Sequence, residues 1–299
     1  MDKYIAFDIG GTNIKHALLW EDSQIIQKGK YKTDCTELGA FLKAMESTIH
    51  AYKNKHEVKG IAISLPGYIN PKTGYAERAG AIFALNQKNI KKLLEDKLSL
   101  PVSVENDGNC AALAEKWNGH AVGCSNFVCM TIGTGIGGGI MINNSLLHGA
   151  SFKGGEFGHM YLYTEKNRQK NLHQSASTSA LIAAYRNYKQ LDAKAFVDGK
   201  QIFAEGEQDG KLQQIIQQWY QNIAYSVFNL AVTFNPEKIL IGGGISERED
   251  LCDHLHHYLQ KIPRWEELKV PIDCCQHRNN AGIIGALYHF LTVNKKLVS

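Results

Sequence analysis

The chain has 299 residues, a formal charge of +4 and an ordinary mix of apolar and charged side chains, which excludes disordered, collagen-like and coiled-coil readings. Its length suggests two domains, because single cores rarely grow past about 250–300 residues. Lysine and arginine never run beyond pairs, unlike the basic stripe of a nucleic-acid binder, and no apolar run approaches the roughly 20 residues that span a bilayer.

In chain order, residues 4–8 alternate about an apolar core and predict a strand, Gly10 and Gly11 a turn, and 14–20 the returning strand. A third strand is expected over 24–31. A helix follows over 38–52, where Leu38, Phe41, Leu42, Met45 and Ile49 recur at helical spacing. A strand at 59–64 ends in a turn at Pro66 and Gly67. Next come a helix at 90–98, a strand at 101–104 and an alanine-rich helix at 107–117. The pattern then restarts with strand 126–132, a glycine turn over 133–139 and a returning strand over 139–142. Helices are expected at 179–188, 210–234, 250–260 and 281–291, with a strand at 238–241 and a glycine turn at 242–244. The repeated hairpin suggests two similarly built halves; glycine turns after apolar strands are the plainer alternative. Acidic residues in the first 25 positions argue against a leader peptide. Seven cysteines without a CxxC pair read as reduced cytosolic thiols, mostly buried.

Several clusters carry chemistry. Residues 133–138 fit GxGxxG, but a dinucleotide site needs a helix to open there, and a strand follows instead. The alternative is a hairpin whose successive N–H groups form an anion nest, with the Thr134 hydroxyl as a further donor. Gly10, Gly11 and Thr12 repeat that logic beside Asp8. A carboxylate next to phosphate is repelled unless Mg²⁺ lies between them, usually through water; otherwise Asp8 fixes its own turn. Lys15 reads as positive charge near phosphate or as a solvated side chain. The glycines at 242–244 admit a flat base or simply connect strand to helix. Asp107 reads equally as a helix cap and as a general base for phosphoryl transfer, with Asn106 orienting the alcohol. Glu156 and His159, set among glycines, suit the hydroxyls of a polyol.

Residues 8–12, 64–67, 105–109 with 111–115, 133–140 and 155–159, in this order, resemble the ROK family of bacterial sugar kinases within the actin/hexokinase superfamily. The resemblance covers almost the whole chain. It implies an α/β, two-lobed actin-like (ribonuclease H-like) ATPase fold. One lobe would comprise 1–117 with 285–299, the other 118–284, with ATP and sugar in the cleft. Asp107 would be the base. Asp8, Gly10, Gly11, Thr12 and Lys15 would handle phosphate and Mg²⁺. Gly133, Thr134, Gly135, Gly137 and Gly138 would hold phosphate from the other lobe, and Gly242 and Gly243 would lie near the adenosine. Ser64, Pro66, Gly67, Asn106, Glu156, His159 and His173 would line the sugar site. A cytoplasmic homodimer acting on a small sugar, and on neither nucleic acid nor membrane, is implied as well.

Three departures refine this. The family's Cys-x-Cys-Gly-x-x-Gly-Cys zinc loop is replaced at 166–172, with no cysteine between Cys129 and Cys252, which predicts no zinc site. His173 stands where the family has a glutamate at the anomeric side of the sugar. Gly80 and Ala81 replace an expected asparagine. These features resemble β-glucoside kinases and N-acetylmannosamine kinases. The expected reaction is ATP-dependent phosphorylation of a C6 hydroxyl on a β-glucoside such as cellobiose, with N-acetylmannosamine or glucose as alternatives. A sugar-sensing regulator of the family would carry a helix-turn-helix domain first, and a strand beginning at residue 4 leaves no room for one.

Overall fold

Alternating apolar residues and a tight glycine turn start the chain as a β-hairpin. In a computed structural model describing residues 1–162 and 170–294, the first half runs β1 (Lys3–Ile9), β2 (Asn13–Trp20), β3 (Ile25–Lys32), α1 (Leu38–Lys53), β4 (Ile61–Leu65), β5 (Tyr68–Asn70), β6 (Tyr75–Arg78), β7 (Lys88–Asn89), α2 (Ile90–Leu98), β8 (Val102–Asn106) and α3 (Asp107–Asn118). The second half runs β9 (Phe127–Ile132), β10 (Ile136–Ile142), β11 (Ser145–Leu146), α4 (Leu172–Ser175), α5 (Thr178–Tyr188), α6 (Gly199–Gly206), α7 (Gly210–Phe234), β12 (Lys238–Gly242), α8 (Leu251–Leu259), α9 (Trp265–Leu268), β13 (Ile272–Cys274) and α10 (Ala281–Val293).

Two five-stranded sheets share one plan, ordered β3-β2-β1-β4-β8 and β11-β10-β9-β12-β13. In each, an antiparallel hairpin comes first, and its first strand pairs in parallel with the fourth strand of the sheet in chain order: β1 with β4, β9 with β12. β4 is buried at every position, as a parallel strand covered on both faces must be. The matching orders are those of two similarly built halves, and the chain has the two-lobed actin-like fold.

Helices and sheets stack in five layers. α1 and α2 cover one face of the first sheet, and α5 to α8 cover one face of the second. Between the sheets lie α3 and α10, packed on each other. This position explains the composition of α3. Squeezed from both sides, it is built from Gly108, Cys110, Ala111, Ala112 and Ala114, all buried. A Cβ on Gly108 would come within 2.5–2.8 Å of the Gly138 backbone, so only glycine allows helix and strand to meet there.

The glycine turn after β9 is shorter than 133–139. Strand pairing resumes at Ile136 opposite Ile132, because Gly137 and Gly138 pair with Thr131 and Met130. The small antiparallel sheet β5-β6-β7, the short helices α4, α6 and α9 and the three-residue β13 have no counterpart in the expected elements; each is too short to show a period. The cysteines are all free, but Cys35, Cys124, Cys252 and Cys274 are only half-buried. No helix among the described residues is long and apolar enough to cross a membrane.

Candidate active site

The first turn of α3 sets the centre. Asn106 is its cap: Oδ1 accepts the Asn109 N–H at 3.1 Å, while Nδ2 donates to the Gly67 carbonyl at 2.9 Å. Asp107 is therefore the first helical residue, and the capping role left open for it belongs to its neighbour. Its carboxylate accepts the Gly108 N–H at 2.9 Å. Asn106, in turn, uses both ends of its amide on the chain, tying the 66–67 turn to the helix.

Asp107 is exposed at the start of the helix, with enough protein about its carboxylate to strip away part of its water. Desolvation pushes its pKa up to about 6, with the charges of Asp8 and Glu156 adding to the rise and the Gly108 N–H opposing it. Desolvation likewise raises Glu156, which is half-buried. Three carboxylates from β1, α3 and the 154–159 turn thus share one electrostatic environment, and the one at the helix start titrates close to neutrality. A group of that kind is suited to take a proton from a hydroxyl.

Asp8 is held from two sides. Oδ1 accepts the Ser64 hydroxyl at 3.0 Å and Oδ2 meets the Lys15 ammonium at 3.1 Å. Ser64, fully buried, directs its hydroxyl to Asp8. Lys15 also reaches the Asn279 carbonyl at 3.2 Å. Gly282, at the start of α10, lies so near Asp8 that a Cβ would overlap its carboxylate. The turn beside Asp8 is fixed by Thr33, whose hydroxyl donates to the Gly10 carbonyl at 2.6 Å, and by the Cys35 thiol on the Gly11 carbonyl at 3.0 Å. A Cβ on Gly11 would lie 3.0 Å from that of Ala81, so the 80–81 segment borders this turn. Gly67, at φ +98°, closes against the Arg78 carbonyl, and Pro66 packs near Gly80.

The second hairpin turn is Gly133, Thr134 and Gly135. The Gly133 N–H donates to the Gly135 carbonyl at 2.9 Å, and the Gly133 carbonyl accepts the Thr178 N–H at 2.9 Å. Thr134 is exposed. Gly138 is packed against Gly108, Gly155 and Phe157, within the strand and away from the turn. Gly242 ends β12 against Cys275, and Gly243, at φ +82°, lies on the Ile132 carbonyl.

His173 accepts the Ile136 N–H on Nδ1 at 3.0 Å, which leaves the proton of the neutral ring on Nε2. Burial, then His159, lowers its pKa. Its ring stands edge-on to that of His159, centroids 5.0 Å apart. His159 Nε2 is 3.3 Å from the Tyr68 hydroxyl, which belongs to the other half of the chain. Tyr68 had no place among the expected site residues; the signal was an aromatic directly after the Pro66–Gly67 turn. Residues 166–169 of the replaced zinc loop lie outside the described residues. Among those described, no group of three or more His, Cys, Asp or Glu is placed to hold a metal ion.

The chain is similar to known proteins along nearly its whole length. Residues 4–293 match the profile described as the ROK family. A β-glucoside kinase of Listeria monocytogenes is 36% identical over 292 residues, 97% of each chain. A β-glucoside kinase of Klebsiella pneumoniae is 36% identical over 294 residues, 96% of each. Among solved structures, a ROK family glucokinase from Streptomyces griseus, in complex with glucose and AMPPNP, has a TM-score of 0.81 at 26% identity, covering 95% of this chain and 98% of its own.

Proposed function

Since this chain belongs to the ROK family and is a sugar kinase, we propose that it transfers the γ-phosphoryl group of ATP to the C6 hydroxyl of a β-glucoside such as cellobiose. The observation that carries the reading is Asp107: a carboxylate freed from capping by Asn106, exposed at the helix start, and raised to about 6. It takes the hydroxyl proton as the phosphoryl group departs. The two glycine turns, at 10–12 and 133–135, hold phosphate from opposite sides, and Gly242 and Gly243 lie near the adenosine. Glu156 and His159 bind sugar hydroxyls.

The donor chemistry at Asp8 fits Mg²⁺, a hard cation that takes carboxylate oxygen and water. Asp8 lies beside a phosphate-type turn, and its charge weighs on Asp107, a repulsion that a cation relieves. Bound there, Mg²⁺ would neutralise phosphate charge. Lys15, already on Asp8, adds positive charge at the same place.

His173 supports the choice of sugar. With Nδ1 occupied by Ile136, the ring offers an Nε2–H donor. A glycosidic oxygen only accepts, so a donor suits it, whereas a glutamate would suit a free anomeric hydroxyl. The curated relatives at 36% identity are β-glucoside kinases, in line with this. The lobes would divide as 1–117 with 285–299 and 118–284. Seven free cysteines suit a reducing, cytoplasmic setting.

The test is kcat/KM for cellobiose, methyl β-glucoside, glucose and N-acetylmannosamine under one set of conditions. Cellobiose is expected to match or exceed glucose. Preference for N-acetylmannosamine with no turnover of either glucoside overturns the reading of His173.

A further inference from the structure

Glu105, next to the cap of α3, is completely buried. Its Oε1 accepts the Asn106 N–H at 2.7 Å and the Asn109 amide at 3.0 Å. Its Oε2 accepts Nε2–H of His148 at 2.8 Å and lies 3.6 Å from Nδ1 of His289. Glu105 therefore braces the residues that cap the helix and flank Asp107. His148 comes from the other half of the chain, just beyond β11. Its own carbonyl accepts the Gly154 N–H at 2.9 Å. A Cβ on Gly154 would overlap the Leu147 carbonyl, so the backbone closes tightly at this point, two residues before Glu156. One residue is thus bound by its main chain to the turn that carries Glu156 and by its ring to the carboxylate that braces Asp107.

We infer that His148 is a positioning residue that locks the sugar-binding turn of one lobe to the base-bearing helix of the other. The physical reason is the cost of an interior carboxylate. Burial alone would raise the Glu105 pKa, but the His148 hydrogen bond, then the charges of His289 and His148 and the Asn109 amide, outweigh burial and hold it low. Without His148, Oε2 loses its short partner, and an under-paired buried charge shifts or takes up a proton. Asn106 and Asn109 then lose a fixed acceptor, and Asp107 moves relative to Glu156. Displacement of a reacting group by about 1 Å costs on the order of 100-fold in rate.

The inference rests on the kinase reading for its catalytic meaning, so the test has two arms. His148→Gln places an amide N–H where Nε2 stands, His148→Asn places it where Nδ1 stands, and His148→Leu removes the donor. Hydrogen exchange at 105–110 and 154–159 is measured without substrate, alongside melting temperature. Steady-state phosphorylation of cellobiose and glucose gives kcat and KM. The Asn and Leu variants are expected to exchange faster at 105–110 and to lose about 10- to 100-fold in kcat, with KM for ATP little changed; Gln is expected to restore most of both. A purely stabilising contact would instead lower the melting temperature and leave kcat per folded molecule unchanged. Wild-type exchange in the Asn variant, or equal loss in Gln and Asn, overturns the inference. Absence of any sugar phosphorylation by the wild type speaks against the kinase reading, and the exchange arm still decides the linkage. Should the Leu variant not fold, the Gln and Asn pair carries the comparison alone.

Discussion

Replacing Asp107 with asparagine separates catalysis from helix stability, because the cap is Asn106. The change is nearly isosteric and leaves the Gly108 N–H an acceptor. Loss of a general base predicts a fall in kcat of about 10²–10⁴-fold. The stability effect has the opposite sign to that of a lost cap. In the folded protein the pKa stands at about 6 against an ordinary 3.8, so the fold favours the protonated acid. That favourable contribution is complete below 3.8 and is lost as pH rises through about 6. Two units correspond to about 3 kcal/mol for a wholly buried group. Asp107 is exposed at the helix start, and solvent screening brings the penalty nearer about 1 kcal/mol. The asparagine variant escapes it. At about pH 7.5 it should be as stable as the wild type or up to about 1 kcal/mol more so, and the difference should vanish in acid. Denaturant titrations at two pH values and a coupled ADP assay measure both quantities. Full activity in the variant, or a loss of more than about 1 kcal/mol at neutral pH, the cost of a missing cap, would refute the assignment.

Three further outcomes are expected. The acid limb of kcat/KM should have a midpoint near 6, the Asp107 value, with a slope of about one; a flat profile down to about pH 5 would exclude Asp107 as the base. Ser64→Ala removes the hydroxyl that orients Asp8 and should lower kcat about tenfold while leaving the sugar KM near its original value; a change confined to the sugar KM would mean that Ser64 serves the sugar. Gly108→Ala forces a Cβ against the Gly138 backbone, which has no side chain to swing aside, and should cost about 2–3 kcal/mol in a melting or denaturant experiment.

Much of this was legible in the sequence because its signals are local. The two hairpins appear as apolar alternation broken by glycine, and their repetition foretells the matching sheets. Asp107 was placed at a helix start by the alanine-rich run behind it. What could not be read is what depends on partners distant in the chain. Ser64 was read as the end of a strand beside the sugar, and no local pattern shows that its hydroxyl goes to Asp8, 56 positions away. Gly137 and Gly138 looked like phosphate-turn glycines, whereas Gly138 lies in β10, where a Cβ would run into the Cys129 carbonyl and the Phe157 ring. The cap fell to Asn106 rather than Asp107, a one-residue difference that pattern alone does not resolve. β13 has only three residues and is a strand because β12 pairs with it.

The layer between the sheets has a consequence for how the chain comes to be folded. The face of the first sheet that carries Tyr4, Ala6, Ala17, Leu19 and Ala62 is covered by Ile283, Leu287, Phe290 and Leu291 of α10. Synthesis makes β1 among the first elements and α10 last of those described. Until α10 has left the ribosome, that apolar face lacks most of its cover, and the nascent protein carries a sticky surface of the kind chaperones bind. Completion of the first lobe therefore waits for the second, so that a chain truncated before α10 leaves the earliest-made strands exposed.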